Sequence, residues 1–397
     1  MAPETPAGQH LRPDAAGPGP AGSPANTDWV DHLWQAVAAG DEYAGATVLF
    51  DALDAGVAPE SVLIDGIAEV QRRVGAAWAA DRMTVTQEHA ATAVNERLIA
   101  AMAHRGPGTT GAPTAPPRPA TGRITVACVD GEWHALPARL LAEVLHLRGW
   151  RVDYLGAQVP TPHLIAHLHR TGPDAVALSA SLVTRLPAAH AAITACRAVG
   201  VPVLAGGAGF GPDGRYARLL GADAWAPDAR AAADLLADGP PDSPRPVHQP
   251  IDDLPHLADQ EYTLVTRESR ELVRSTLRGM QDRIPAVRGY TDEQHERTAE
   301  DIAHIVQFLA AALYTGDARL FADFLTWTVD ILTVRGVPAG SVLVVLDLLG
   351  DRLAEFPRAL DVLACGRDAL TTPMPAADTP LAPPSAPSSA SPAPELP

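Results

Sequence analysis

Lysine is the residue that this 397-residue sequence lacks, so all 30 of its basic residues are arginine. Schiff-base chemistry, pyridoxal phosphate attachment and the P-loop each require a lysine amine, and the sequence therefore excludes all three. Basic residues are also in the minority, because 47 acidic residues give a formal net charge of −17. Domains that carry nucleic acid display a basic face, so we do not expect this chain to bind DNA or RNA by itself.

Cysteine and long apolar runs are scarce as well. The three cysteines, Cys128, Cys196 and Cys365, lie far apart and form no Cys-x-x-Cys pair. This pattern disfavours a thiolate zinc site or a disulfide framework and is typical of a reducing compartment. The N-terminal sequence lacks the basic and apolar regions of a signal peptide, and no run approaches the roughly 20 apolar residues that span a bilayer. We therefore expect a cytoplasmic protein without membrane contact.

Four stretches rich in proline, glycine, alanine and serine divide the chain. Such stretches cannot bury enough apolar surface to offset the ordering of the backbone, so we expect disordered ends and extended linkers. The predicted division is a disordered segment 1–26, a block 27–103, a linker 104–122, a block 123–237, a linker 238–251, a block 252–370 and a disordered tail 371–397.

The three blocks differ in hydrophobic periodicity, and the expected fold class is multidomain α and α/β. Block 27–103 contains four segments with apolar residues at helical spacing, which predicts a four-helix bundle. In block 123–237 strand-like and helical runs alternate, which predicts a doubly wound parallel sheet. Block 252–370 contains five helical segments, a content that suits an all-α, globin-like or bundle domain.

Ligands of a doubly wound sheet bind at the carboxyl ends of the strands, so the loops there are candidate sites. The loop after the first predicted strand contains Glu132 and His134, and an acid near a histidine can orient the ring of a metal ligand. Small residues in the loops after the third and fourth strands indicate a deep slot. These small residues are Ser179, Ser181, Gly206 and Gly207. His134 alone is better explained as an ordinary loop histidine, and only the combined spacing of the loops favours a ligand. The GGAGFG run is a weak dinucleotide fingerprint because it follows the fourth strand.

A second motif lies in the first block, where nine residues separate Trp78 from Glu88 and His89. Trp78 closes the third predicted helix, and a capping box of Thr84 and Gln87 begins the fourth. A flat ring beside an acceptor and a donor suits a nucleoside, whose base stacks and whose ribose hydroxyls need partners. The alternative is a core tryptophan with two solvated residues at a helix start.

The second block resembles the cobalamin-binding domain of B12 proteins, whose pattern is Asp-x-His-x-x-Gly, then Ser-x-Leu, then Gly-Gly. In that family the histidine is the lower cobalt ligand, and the released nucleotide tail enters the slot. The resemblance implies that His134 ligates cobalt, that Glu132 orients it, and that the serines and glycines named above line the slot. The chain departs from the pattern at Glu132, Pro137 and Ser181, where the family has Asp, Gly and Leu.

The Trp-x9-Glu-His spacing resembles the signature of the adenosylcobalamin-dependent photoreceptors that repress carotenoid synthesis. It implies that Trp78, Glu88 and His89 cover the upper 5′-deoxyadenosyl group, and that light breaks the cobalt–carbon bond and moves the bundle. Where that family has a histidine able to bind cobalt after photolysis, this chain has Ala79, so reversible switching is expected. Residues 1–26 do not match the family's DNA-binding helix-turn-helix.

The order of the three blocks resembles that of the photocobilins, photoreceptors that pair B12 with a bilin. This implies biliverdin in block 252–370, where one predicted helix aligns Asp301, His304 and Phe308, and we expect a noncovalent chromophore. The next predicted helix carries Phe321, Phe324 and Trp327. Arg288 and Arg297, near the start of the first of these helices, could meet the carboxylates of a tetrapyrrole. Cys365 is the only cysteine available there for a thioether. Haem with His304 as proximal ligand is the competing cofactor, and a plain aromatic core is the simplest alternative.

Taken together, the resemblances imply a light sensor for two small-molecule chromophores and not an enzyme. We expect a homodimer that acts through a separate effector protein. One alternative is the corrinoid protein of a methyltransferase system, whose upper face would have to stay open. Another is a B12 sensor whose third block binds haem, or no chromophore, and serves as a scaffold.

Overall fold

The computed structural model describes residues 28–105, 121–242 and 259–372. The predicted disordered segment 1–26 and most of the predicted linkers and tail lie outside these ranges. No helix in the described part of the chain is both long and apolar enough to cross a membrane.

The first described unit is a helical bundle, as the periodicity predicts. Its elements are α1 (Asp28–Ala38), α2 (Glu42–Asp54), α3 (Pro59–Ser61), a π-helical segment (Val62–Ala68), α4 (Glu69–Ala79) and α5 (Val85–Arg105). The segments from α3 to α4 are continuous, so four helical rods result. Gly66 in the π-helical segment makes room for the Trp29 ring, which a Cβ would approach to 2.3 Å. The predicted capping box is present: Thr84 N–H donates to Gln87 at 2.9 Å, and Gln87 N–H donates to Thr84 at 3.2 Å.

The second unit is a five-stranded parallel sheet with helices on both faces. Its elements are β1 (Arg123–Cys128), α6 (Leu136–Leu147), β2 (Arg151–Gly156), α7 (Thr161–Thr171), β3 (Ala175–Ser179), α8 (Leu186–Ala198), β4 (Val203–Gly206), α9 (Arg215–Leu219), β5 (Ala224–Ala226) and α10 (Ala229–Leu235). The strand order is β2-β1-β3-β4-β5, the flavodoxin-like order, so the predicted fold class is confirmed. The order reverses between β1 and β3, which places the expected ligand crevice at the carboxyl ends of these strands.

The third unit is all helix. It comprises α11 (Glu261–Arg283), α12 (Asp292–Thr315), α13 (Ala318–Val334), α14 (Gly340–Arg352) and α15 (Pro357–Thr371). Phe321 of α13 is fully buried and fits against Gly366 of α15, where a Cβ would approach its ring to 2.9 Å. The predicted helical content is confirmed, whereas a globin-like arrangement stays a prediction.

Polar contacts join the second unit to the third. The ring of His190 on α8 lies with its Nδ1 2.7 Å from the Tyr314 hydroxyl of α12, and His190 is buried. Tyr216 of α9 donates to the Asp317 carboxylate at 2.8 Å, and Arg215 contacts the same carboxylate at 3.2 Å. Asp317 also caps α13 by accepting from the Arg319 N–H. The start of α13 is therefore fixed to the α/β unit.

Arginine–carboxylate pairs join the bundle to the α/β unit. Arg148 at the end of α6 donates to both oxygens of Glu60, at 2.7 and 3.0 Å. Arg230 of α10 reaches Glu60 at 3.3 Å and Asp65 at 3.0 Å. The hydrogen bond from Arg148 lowers the pKa of Glu60 below its ordinary value, against the desolvation that would raise it.

We expect Glu60→Gln to weaken this interface in a pH-dependent way. Because folding lowers the pKa of Glu60, its stabilisation is fully present above the ordinary pKa of 4.5 and is lost as the pH falls through the folded value. At pH 7 the variant should lose about 1 kcal/mol of unfolding free energy, measured by urea denaturation. The difference from wild type should shrink on acidification. Glu271→Gln, which breaks exposed pairs with Arg274 and Arg278, is the control. An equal loss at every pH would show that Glu60 contributes packing and not charge.

Candidate functional site

The loop after β1 holds a histidine whose ring is oriented by a buried carboxylate. His134 Nδ1 lies 2.5 Å from Glu132 Oε1, and the same oxygen accepts from the His134 backbone N–H at 2.9 Å. Glu132 is 0% exposed, whereas the His134 side chain is one-third exposed. Since Nδ1 faces the carboxylate, Nε2 is the nitrogen left for a metal. The orienting contact expected between these two residues is present.

Glu132 also ties two loops together. Its second oxygen accepts from the backbone N–H groups of Ser181 and Leu182, at 2.7 and 3.1 Å, in the loop after β3. Burial alone would raise the pKa of Glu132, but the hydrogen bonds from His134 and Ser181 outweigh it, and the pKa is lowered. The carboxylate is thus held ionised beside His134. Ser181 serves here through its backbone, a role that the sequence pattern does not indicate.

A slot opens at the carboxyl ends of β3, β4 and β5. It encloses about 460 Å³, counting its open mouth, and its walls include Ser179, Gly206 and Gly207 beside apolar residues of α6 and α10. A Cβ on Gly206 would meet only the Ala226 carbonyl, at 3.6 Å, so this glycine leaves space in the slot. Gly207 has φ +100°, and a Cβ there would lie 2.4 Å from the Ala180 carbonyl, so the backbone itself requires glycine.

The Glu88–His89 part of the bundle motif lies beside the histidine loop. Glu88 and His89 lie in the first turns of α5, with His89 Nδ1 2.7 Å from the Glu88 carboxylate. The His89 ring lies over Trp133 at a centroid distance of 6.3 Å, and Trp133 stacks on His134 at 3.9 Å. Two motifs from separate units therefore meet across one interface.

A chain of hydrogen bonds inside the bundle ends on Glu88. Buried Asn95 donates its amide to Gln71 at 2.8 Å, Gln71 donates to the Thr92 hydroxyl at 2.8 Å, and Thr92 donates to Glu88 at 2.9 Å. Each donor points towards the carboxylate, so the chain fixes its position and favours its charge.

Trp78 lies in the last turn of α4 and contacts the third unit. Its ring centroid lies 6.4 Å from that of Trp327 on α13, and the Arg335 guanidinium carbon lies 5.0 Å from the Trp78 ring. Arg335 also donates to the Trp78 carbonyl at 3.4 Å. Within the described ranges no hydrogen bond or ring contact joins Trp78 to Glu88 or His89, so their shared role as a cover stays a prediction.

Comparison with known families describes both halves of this site. Residues 122–236 match a family model described as a B12 binding domain, and residues 29–102 match a second model with the same description. The chain contains a two-part cobalamin-binding module. The predicted cobalamin is therefore confirmed as the cofactor class, while its adenosyl form is not addressed by these matches.

Solved structures similar to the chain come from corrinoid systems. They are the monomethylamine corrinoid protein of Methanosarcina barkeri (TM-score 0.45, 18% identity, 54% of this chain and 99% of that chain), a cobalamin-binding protein from Desulfitobacterium hafniense DCB-2 (TM-score 0.30, 18% identity, 53% and 97%) and the methanol:cobalamin methyltransferase complex MtaBC from Methanosarcina barkeri (TM-score 0.30, 17% identity, 56% and 88%). A comparison with curated proteins gave no match.

The residues of the cobalamin-binding module are suited to holding cobalamin. His134 offers Nε2, because its Nδ1 is held by Glu132, so it could supply one nitrogen ligand to cobalt. The slot is lined by residues that leave it open, and a larger residue at Gly206 would fill it. His134 would thus hold the metal, and the slot would take a flat, largely apolar appendage.

The residues predicted to hold a bilin lie on α12, next to the module. Phe308 stacks on Phe324 of α13 at a centroid distance of 3.6 Å, and Phe324 lies 6.4 Å from Trp327. Asp301 and His304 reach solvent. Partial desolvation raises the pKa of Asp301, against the charges of His304 and Arg335. The grouping of an acid, a histidine and an aromatic wall is present, and its ligand stays a prediction.

The sequence-based prediction gives three residues no role in the cobalamin site, although they contact its motifs. Trp133 belongs to the histidine loop, and its 51% exposure is unusual for tryptophan. Its position one residue before His134 is a signal that sequence reasoning could have used. Trp327 was expected only to line the third block, and Arg335 had no predicted role. The arginines expected to meet tetrapyrrole carboxylates, Arg288 and Arg297, instead pair with Asp282 and Glu293 beside them.

Proposed function

We propose that the chain is a light sensor that binds adenosylcobalamin between the bundle and the α/β unit and a bilin, biliverdin, in the third unit. The observation that supports it best is the series His89, Trp133 and His134, which brings the bundle motif to the histidine loop. Adenosylcobalamin, when bound, supplies a light-labile cobalt–carbon bond. In this proposal His134 would hold the cobalt, and the aromatic and polar groups of the bundle would cover the bound cofactor.

Each residue of the cover has a defined task. Trp78 offers a flat apolar face that excludes water and stacks on a nucleobase. The Glu88 carboxylate, held by Thr92, accepts from ribose hydroxyls, and His89 supplies a donor beside it. These groups bind and orient the upper group, and their contacts with it couple its presence to the position of α5.

Trp78→Ala should lower the retention of adenosylcobalamin in the dark at least tenfold, because the stacking face is lost. The wild-type chain should keep the cofactor on a desalting column in the dark and change its corrin absorbance under green light. Tyr43→Ala, which removes an exposed aromatic ring from the same bundle, is the matched control and should behave as wild type.

The results of this experiment distinguish a light sensor from a methyl carrier. A chain that keeps methylcobalamin in preference and transfers its methyl group, with Trp78→Ala unimpaired, would be a methyl carrier. A chain that keeps neither form would contradict the proposal altogether. Biliverdin added to the wild-type chain should give absorbance in the red, and the Phe308→Ala variant should lose that absorbance. A Soret band after addition of haem, without a response to biliverdin, would show that the third unit binds haem and not a bilin. The homodimer, the separate effector protein and the lack of enzymatic activity stay predictions.

A further inference from the structure

We propose that Trp327 and Arg335 of the third unit are positioning residues for Trp78, so that the third unit completes the upper side of the cobalamin site. This inference rests on the proposed function, because it assigns Trp78 to the ligand. It adds that the ring is placed by groups outside the two matched B12-binding domains, which end at residue 236.

Arg335 makes three contacts at the end of α4, two with Trp78 and one with Asp81. Its guanidinium lies over the indole ring at 5.0 Å, donates to the Trp78 carbonyl at 3.4 Å and lies 3.6 Å from the Asp81 carboxylate. Asp81 adopts φ +54°, a left-handed conformation that ends the helix. The last carbonyls of a helix lack intrahelical partners and attract cations, so Arg335 fixes the backbone as well as the ring.

Trp327 supports the same ring from the side. It is 50% exposed although it belongs to a helix whose neighbouring aromatics are packed, and its one aromatic neighbour outside the third unit among the described residues is Trp78. Towards the third unit it lies against Phe324, which stacks on Phe308. A continuous aromatic series thus leads from Trp78 to the predicted bilin residues.

The helix that carries Trp327 is anchored at both ends. At its start the capping residue Asp317 binds Tyr216 and Arg215, which follow the slot loop of the α/β unit. Just beyond its end, Arg335 binds the bundle. Its 17 residues span about 25 Å, so α13 acts as a brace between the two parts of the module. A change in the separation of these parts must shift α13 or break one of its anchors.

Hydrogen exchange of the cobalamin-free full-length chain tests the contacts directly. Arg335→Gln and Trp327→Ala should speed exchange at the end of α4 and in residues 80–84 at least fivefold, with the rest of the bundle unchanged. Trp327→Phe keeps an aromatic face and should restore most of the protection. Arg283→Gln, which breaks an exposed pair with Asp351 in the third unit, is the control. Unchanged exchange, or exchange raised equally throughout the bundle, would overturn the positioning role.

The loaded protein supplies the second readout. With adenosylcobalamin bound, Arg335→Gln and Trp327→Ala should each change two rates at least threefold: the rate at which the cofactor is lost in the dark and the rate at which green light bleaches it. Trp327→Phe should keep both rates close to those of wild type. A wild-type chain that shows no light response contradicts the proposed function, whereas a responsive wild type with unaltered variants contradicts only this inference. If Trp327→Ala fails to fold, Arg335→Gln decides the matter.

Discussion

Replacing His134 by alanine should remove the protein-derived axial nitrogen from bound cobalamin and lower its affinity at least a hundredfold. Removing even an orienting partner of a metal ligand costs tenfold to a hundredfold in affinity, so loss of the ligand should cost more. The fold should tolerate the change, because the side chain is one-third exposed and its backbone N–H still donates to Glu132. The loss should therefore appear in binding and not in the melting temperature.

Electron paramagnetic resonance identifies the ligand without reference to activity. In the full-length chain loaded with cob(II)alamin, an axial ¹⁴N splits each cobalt line into three, whereas ¹⁵N-histidine should split it into two. Labelled wild type should give the two-line pattern. His146→Ala, which removes a half-exposed histidine from the same unit, should leave pattern and affinity unchanged. A three-line pattern in the labelled protein would mean that the nucleotide base stays on the cobalt and that His134 has another role.

Local patterns account for much of the fold. Short, continuous apolar runs that alternate with helical segments predict the parallel sheet, because the strands of such a sheet are buried on both faces. Strands β1 and β3 are indeed buried almost throughout. The predicted capping box at Thr84 marks a helix start that the structure confirms, and the same pattern of Thr291 and Gln294 begins α12. These signals involve residues close in sequence, where backbone hydrogen bonding restricts the choices.

The candidate site is predictable only in part, for the same reason. Glu132 and His134 are two residues apart, so their contact follows from the loop sequence. Arg335 and Trp78 are 257 residues apart, and nothing in either neighbourhood indicates the other. Phe321 shows that closeness in sequence can also mislead. Helical spacing groups it with Phe324 and Trp327, but tertiary packing buries Phe321 in the core of the third unit.

Gly206→Val should weaken cobalamin binding strongly while leaving the apo fold intact. Gly206 ends β4, and its backbone does not require glycine, since a Cβ would meet its nearest neighbour at an ordinary 3.6 Å. Valine suits a strand, so the cost to stability should be small. Its two methyl groups would occupy the slot, and we expect the affinity for cobalamin to fall about a hundredfold, or about 2.7 kcal/mol. Isothermal titration and thermal melting of the apo protein measure the two quantities separately.

The neighbouring glycine and a truncated ligand make this test specific. Gly207→Ala should destabilise the fold by about 1–3 kcal/mol through backbone strain alone, and more through its contact with the Ala180 carbonyl, so it cannot report on the slot. Cobinamide lacks the nucleotide tail and should bind Gly206→Val as well as it binds wild type. Loss of both ligands would indicate damage to the corrin face. Retention of cobalamin within twofold would show that the tail does not enter this slot, because a filled slot leaves it no room.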